Sequence, residues 1–202
     1  MRARTHSVES RVAGRLLAVL IAMTMTTSAL AGCGSEDKPK ATPSPTSKPS
    51  VPPGLDTTPP RKPAKPAETK ESAVEYGRYF ALLVQHAVRV RSARPLMAEA
   101  LDQAKCTSCR QISDYVEDRR DEKLWQIGPD LRLGKFSARR TSYGFEVNGT
   151  FEYPPGKYVK IDGKKDGTLD GGSYAFQAFL VWDAERSRWR VGDYTFKIKS
   201  KG

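Results

Sequence analysis

From residue 69 onward the apolar positions of the chain follow two periods in turn. Starting at Ala73, the residues Tyr76, Phe80, Val84 and Ala87 recur at intervals of three and four, with Gly77, Leu83 and Val88 beside them. That spacing predicts a helix with a broad buried face. It begins near Thr69 and closes on Arg89, Arg91 and Arg94, where cations suit the negative end of the helix. Pro95 fits the first position of a second, short helix over 95–104. A third helix follows Cys106 and Cys109, with Ser108 and Gln111 in capping-box spacing and Ile112, Tyr115 and Val116 as its apolar stripe.

After Gly128-Pro129 the period becomes two. Leu131 and Leu133 alternate with Arg132 and Gly134. Tyr143, Phe145, Val147, Phe151 and Tyr153 form a second series, and Tyr174, Phe176, Ala178, Leu180 and Trp182 a third. A fourth runs from Trp189 and Val191 toward Tyr194 and Phe196. These are half-buried antiparallel strands, with a hairpin loop over 183–187. Asn148-Gly149 is a hairpin signal, yet the alternation continues through it in phase, which predicts one long strand containing a glycine. The fold class is α+β: three N-terminal helices packed on a curved antiparallel sheet of about four strands.

Upstream of residue 69 the pattern is of another kind. Residues 1–15 are positively charged, 16–30 are apolar, and Ala31 and Gly32 are small, the three regions of a signal peptide. The apolar run is about 15 residues, short of the about 20 that span a bilayer. Residues 34–68 hold ten of the 14 prolines, counting from Pro39 to Pro66, with Ser, Thr and Lys. Such a segment has too little apolar surface to fold alone and favours extended conformations of about 3 Å per residue. The expected organisation is a signal segment over 1–32, Cys33 with a tether over 33–68, and a globular domain over 69–202.

Charge adds a constraint. The chain has 34 Lys and Arg against 23 Asp and Glu, a net +11. Removing residues 1–32 takes away four arginines and one glutamate and leaves +8. That excess favours anionic surroundings, and outside the cytoplasm these are lipid head groups and wall polymers rather than nucleic acid.

Leu30-Ala31-Gly32-Cys33 resembles the lipobox of bacterial lipoproteins. The resemblance implies cleavage before Cys33, a diacylglyceryl thioether on Cys33, and anchorage at the outer face of the cytoplasmic membrane. Two or more acyl chains give stable attachment where one is marginal. The domain in turn resembles a family of actinobacterial lipoprotein domains of unknown function. The residues that carry this are the aromatic helix (Tyr76, Phe80, Leu83, Val84), Cys106 and Cys109, the Pro-Gly-x-Tyr-Val of 155–159, and the closing Phe179 to Trp182 and Trp189 to Asp193. Arg91-Ser92-Ala93 departs from the Gly-Asp turn of that pattern. Three helices followed by a curved sheet also resemble the cone-shaped fold of nuclear transport factor two and ketosteroid isomerase, which hosts enzymes and binding domains alike.

Candidate chemistry is sparse. Cys106 and Cys109 suit a structural disulfide in an exported protein. A redox dithiol would need a strand before the motif, and a zinc site two more ligands. His86 reads as a packing histidine on the first helix, with a general base in a cone pocket as the other reading. Arg89, Arg91 and Arg94 are candidates for contact with an anionic surface, or a solvated helix end. The strand aromatics Tyr143, Phe145, Phe151, Tyr174, Phe176, Trp182 and Trp189 read as core, and in a cone also as the lining of a pocket. No metal or cofactor is expected. The expected function is a membrane-anchored envelope lipoprotein with a non-catalytic ligand-binding or protein-interaction domain. Its partners would be the bilayer through Cys33, and an anionic wall polymer or an envelope protein. The alternative is a small acid–base enzyme or apolar-ligand carrier using the cone pocket.

Overall fold

A computed structural model describes residues 51–199. The expected signal segment, the residues Leu30, Ala31, Gly32 and Cys33, and the first part of the tether lie outside them. The architecture is α+β, three helices packed against antiparallel sheets of four and three strands.

Helix α1 (Lys70–Arg89) starts where Thr69, extended at φ −122°, accepts the Ser72 N–H on its hydroxyl at 3.2 Å. One turn's spacing puts Ala73, Tyr76, Phe80, Leu83, Val84 and Ala87 in the core. Gly77 lets the helix lie against the sheet, since a Cβ there would stand 2.7 Å from Val147 Cγ1. The helix α2 (Arg94–Met97) is shorter than its sequence suggests. Beyond it the backbone leaves the helix to pair with the last strand: Val191 N–H donates to Glu99 O and Leu101 N–H to Val191 O. Tertiary pairing has replaced the final helical turns.

Helix α3 (Thr107–Asp121) has no capping box. Its N-cap is Cys106, and the Ser108 N–H donates instead to Asp193 Oδ1 at 3.1 Å. A carboxylate from the far end of the chain therefore satisfies this helix start, an arrangement that local sequence does not encode.

The larger sheet runs β2 (Arg132–Thr141), β3 (Gly144–Tyr153), β6 (Gly172–Asp183), β7 (Arg188–Ile198), in that spatial order and antiparallel throughout. β3 is a single strand through Asn148 and Gly149. Gly149 pairs with Phe136 and Phe176, and a Cβ on it would stand 2.6 Å from the Phe136 ring. The glycine makes room for an aromatic from the next strand. Register slips between Leu133 and Phe136 and between Phe179 and Leu180, where Gly192 is the extra residue, bend the sheet around the helices. The second slip accounts for the break in alternation between Val191 and Tyr194.

Four of the seven aromatics expected in the core are buried: Phe145, Phe151, Phe176 and Trp189. Tyr174 and Trp182 are half-buried and pack against them. Tyr143 is the exception. It occupies the turn joining β2 to β3 and is 80% exposed, because the apolar series begins one residue before the strand does.

The sequence gives no clear sign of the smaller sheet, β1 (Trp125–Ile127), β4 (Gly156–Val159) and β5 (Lys165–Leu169), in the order β1-β4-β5. Its strands are three to five residues long, too short to establish a period.

Candidate functional site

The small sheet closes one side of a cleft of about 210 Å³. Gln126 pairs with Tyr158, and Gly156 with Leu169, so the side chains of Gln126, Tyr158 and Leu169 share the face that lines it. Ala81, Val84, Gln85 and Val88 of α1 form the opposite wall, with Ile112 and Tyr115 of α3 beside them. Leu131, Phe151, Tyr153, Tyr174 and Phe196 make the floor on the concave side of the larger sheet. Phe151 stacks on Tyr174 at 5.3 Å and meets Phe196 edge-on at 5.3 Å, so the floor is one aromatic layer.

The polar groups of the cleft divide into occupied and free. Gln85 donates to Pro129 O at 3.1 Å and accepts from Leu131 N–H at 3.1 Å, which ties the helix to the loop before β2. The hydroxyls of Tyr115 and Tyr158 share a hydrogen bond at 3.2 Å. Burial, helped by that bond, pushes the Tyr115 phenol above its ordinary pKa, and burial pushes Tyr153 up to about 12. Both are neutral donors at physiological pH. Asp170, exposed at the rim, is the one charged residue among those lining the cleft.

His86 faces a different groove. It is buried beside Arg89 and Gln85, and Asp56, Thr58, Pro59 and Pro60 of the proline-rich segment lie over it. Burial and the nearby Arg89 hold its pKa below the usual value, against the opposing pull of Asp56. The imidazole does not reach the aromatic cleft.

The three candidate arginines separate. Arg89 is 7% exposed and bonds Asp130 and the carbonyls of Gly128 and Pro129. Arg91, in the left-handed region at φ 53°, lays its guanidinium on the Trp125 ring at 3.5 Å from the centroid. Arg94 alone is exposed. Cys106 and Cys109 form a close pair, Cα atoms 5.2 Å apart and both side chains fully buried.

One cluster has no counterpart among the sequence candidates. The Glu99 carboxylate, 7% exposed, accepts hydrogen bonds from Tyr76 at 2.7 Å and Tyr79 at 3.2 Å. Lys62, from the proline-rich segment, donates to both of its oxygens at 2.7 and 2.8 Å and sits 5.8 and 5.9 Å from the two ring centroids. Tyr76 is legible as an apolar helix position, but nothing in the sequence marks the acceptor it shares with Tyr79.

No protein-family model matches the chain, and neither does any curated protein. Among solved structures, the chain is similar to the intermembrane-space region of the chloroplast protein ARC6, at 16% identity and a TM-score of 0.42, over 66% of this chain and all of that one. It is also similar to a structure from Catenulispora acidiphila, at 8% identity and a TM-score of 0.41, over 60% of this chain and 87% of that one.

Proposed function

We propose that the protein is an extracytoplasmic lipoprotein, anchored through acylated Cys33, whose domain is a non-catalytic binding module. What carries the reading of the domain is the aromatic cleft: an apolar concavity with hydrogen-bonding groups at its walls and no acid–base pair at its floor among the described residues. The acid–base enzyme weighed from the sequence would set an imidazole or carboxylate there, whereas the floor offers phenols and His86 faces elsewhere. Cys106 and Cys109 fit this role as a structural disulfide. Asp193 Oδ1 stands 3.6 Å from Cys106 Sγ and takes the helix-start N–H that would stabilise a thiolate.

The binding reading is tested in intact cells with a photoreactive residue in place of Leu169, at the cleft, or of Lys164, in the exposed turn between β4 and β5 and outside the cleft lining. The expected result is a discrete adduct at 169 that is absent at 164 and weakened by Val88→Trp at the cleft wall. Equal labelling at both positions would remove the cleft from consideration. The anchor is tested separately. Cys33→Ala should abolish acyl labelling and release the protein or leave it unprocessed, and a correctly cleaved, membrane-retained variant would count against it.

A further inference from the structure

The wall that the small sheet contributes carries a free recognition group. Gln126 is 7% exposed and lines the cleft, and its amide makes no side-chain hydrogen bond among the described residues. Register with Tyr158 turns it to the cleft, while Trp125 and Val159 take the other face of the strand pair. Neither its amide nitrogen nor its oxygen is sealed from solvent, so the carboxamide opens onto the cleft, where a molecule that enters can take its hydrogen bonds. Beside it, the Tyr115–Tyr158 pair uses one O–H internally and has one O–H left to donate. Donor and acceptor capacity thus converge on one wall, opposite the apolar layer of Phe151, Tyr174 and Phe196.

Size and charge narrow the occupant. An apolar cavity of roughly 150 Å³ accepts benzene, so about 210 Å³ accommodates a six-membered ring with a short substituent. No lysine or arginine is among the lining residues, Arg119, which stacks on Tyr115 and Tyr158, is already paired with Glu122 at 2.8 Å, and the rim carries Asp170, so an anionic head finds no free cation. We infer that the cleft takes a small apolar molecule bearing one neutral hydrogen-bonding head, an amide or alcohol, which Gln126 and the Tyr115–Tyr158 hydroxyls hold against the small sheet. This inference rests on the reading of the cleft as a binding site.

The test uses the full chain labelled with 3-fluorotyrosine, with binding followed at the Tyr115 and Tyr158 fluorine resonances. The probes are phenylacetamide, phenylacetate and ethylbenzene. Phenylacetamide should bind at least about tenfold more tightly than phenylacetate. Gln126→Met, close in shape and apolar, should weaken phenylacetamide about fivefold to tenfold and leave ethylbenzene within about twofold. Ethylbenzene binding with no amide preference, or a Gln126→Met protein that holds the amide as well as before, would overturn the ligand class and leave the cleft a binding site. No response to any probe would overturn both. Should Gln126→Met melt early, Tyr158→Phe supplies the second variant, with a loss of amide but not of hydrocarbon affinity expected. An unchanged amide affinity in it would overturn the assignment of the head group to this wall.

Discussion

At the scale of single residues, Asp193 does work far from its sequence neighbours. Asp193 follows the bulge at Gly192, and its Oδ1 accepts the N–H groups of Ser108 at 3.1 Å and of Tyr194 at 2.9 Å. Asp193→Asn keeps the shape and removes the charge at the α3 N-terminus, so a loss of about 1 kcal/mol is expected in chemical denaturation. Intact-mass measurement with thiol blocking should find no free thiol at Cys106 and Cys109. Two alkylated cysteines in the unreduced protein would contradict the structural disulfide. His86 gives a pH prediction. Its folded pKa lies below the unfolded one, which means the unfolded chain binds more protons between the two values. The contribution of the neutral imidazole is therefore complete above about pH 6.5 and is lost as pH falls toward the folded value. His86→Gln should flatten the stability profile in that window. An unchanged slope would show that the histidine titrates as it does in the unfolded chain.

At the scale of elements, legibility followed length and locality. The twenty residues of α1 and the long strands β3, β6 and β7 each carry several periods of apolar alternation, and the sequence indicates all four. The short strands β1, β4 and β5 carry none, and with them went the wall of the cleft, including Gln126. Helix α2 stopped early because Glu99 and Leu101 pair with Val191, a contact ninety residues away in the chain. The proline-rich segment shows the same limit. It lacks apolar residues for a core of its own, yet from residue 51 it is laid on the domain, with Lys62 set into Glu99, Tyr76 and Tyr79 and with Pro59 and Pro60 over His86. The two halves of the Lys62–Glu99 pair should differ in cost. Lys62 is 40% exposed in its side chain, so Lys62→Ala should lower stability by less than about 1 kcal/mol while speeding tryptic cleavage after Arg61. Glu99→Ala strips the acceptor from two tyrosine hydroxyls and should cost about 2–3 kcal/mol. Equal and small effects would mean that the segment is not held there.

At the scale of the whole molecule, the positive excess left after residue 32 is distributed differently from what the helix end suggests. Residues 51–199 hold much of it, but many of these cations already have partners. Arg89 is bound to Asp130, Arg139 to Glu146, Arg140 to Glu68 and Arg119 to Glu122. Arg91 is stacked on Trp125, which leaves Arg94 as the member of the original trio available to an anionic surface. The three arginines should therefore respond differently to substitution. In the chain from residue 51 onward, Arg94→Ser should leave the melting temperature unchanged. It should weaken binding to phosphatidylglycerol vesicles by about 1 kcal/mol, roughly fivefold. Binding should fade as salt shortens the Debye length from about 8 Å at physiological ionic strength to about 3 Å at 1 M. Arg89→Ser should instead cost about 1–3 kcal/mol of stability, since Gly128 O and Pro129 O lose their donor. Vesicle co-sedimentation across a salt series, with thermal melts of each variant, separates the two. Binding that ignores salt, or that Arg94→Ser does not change, would leave the net charge as a property of the surface with no part in attachment.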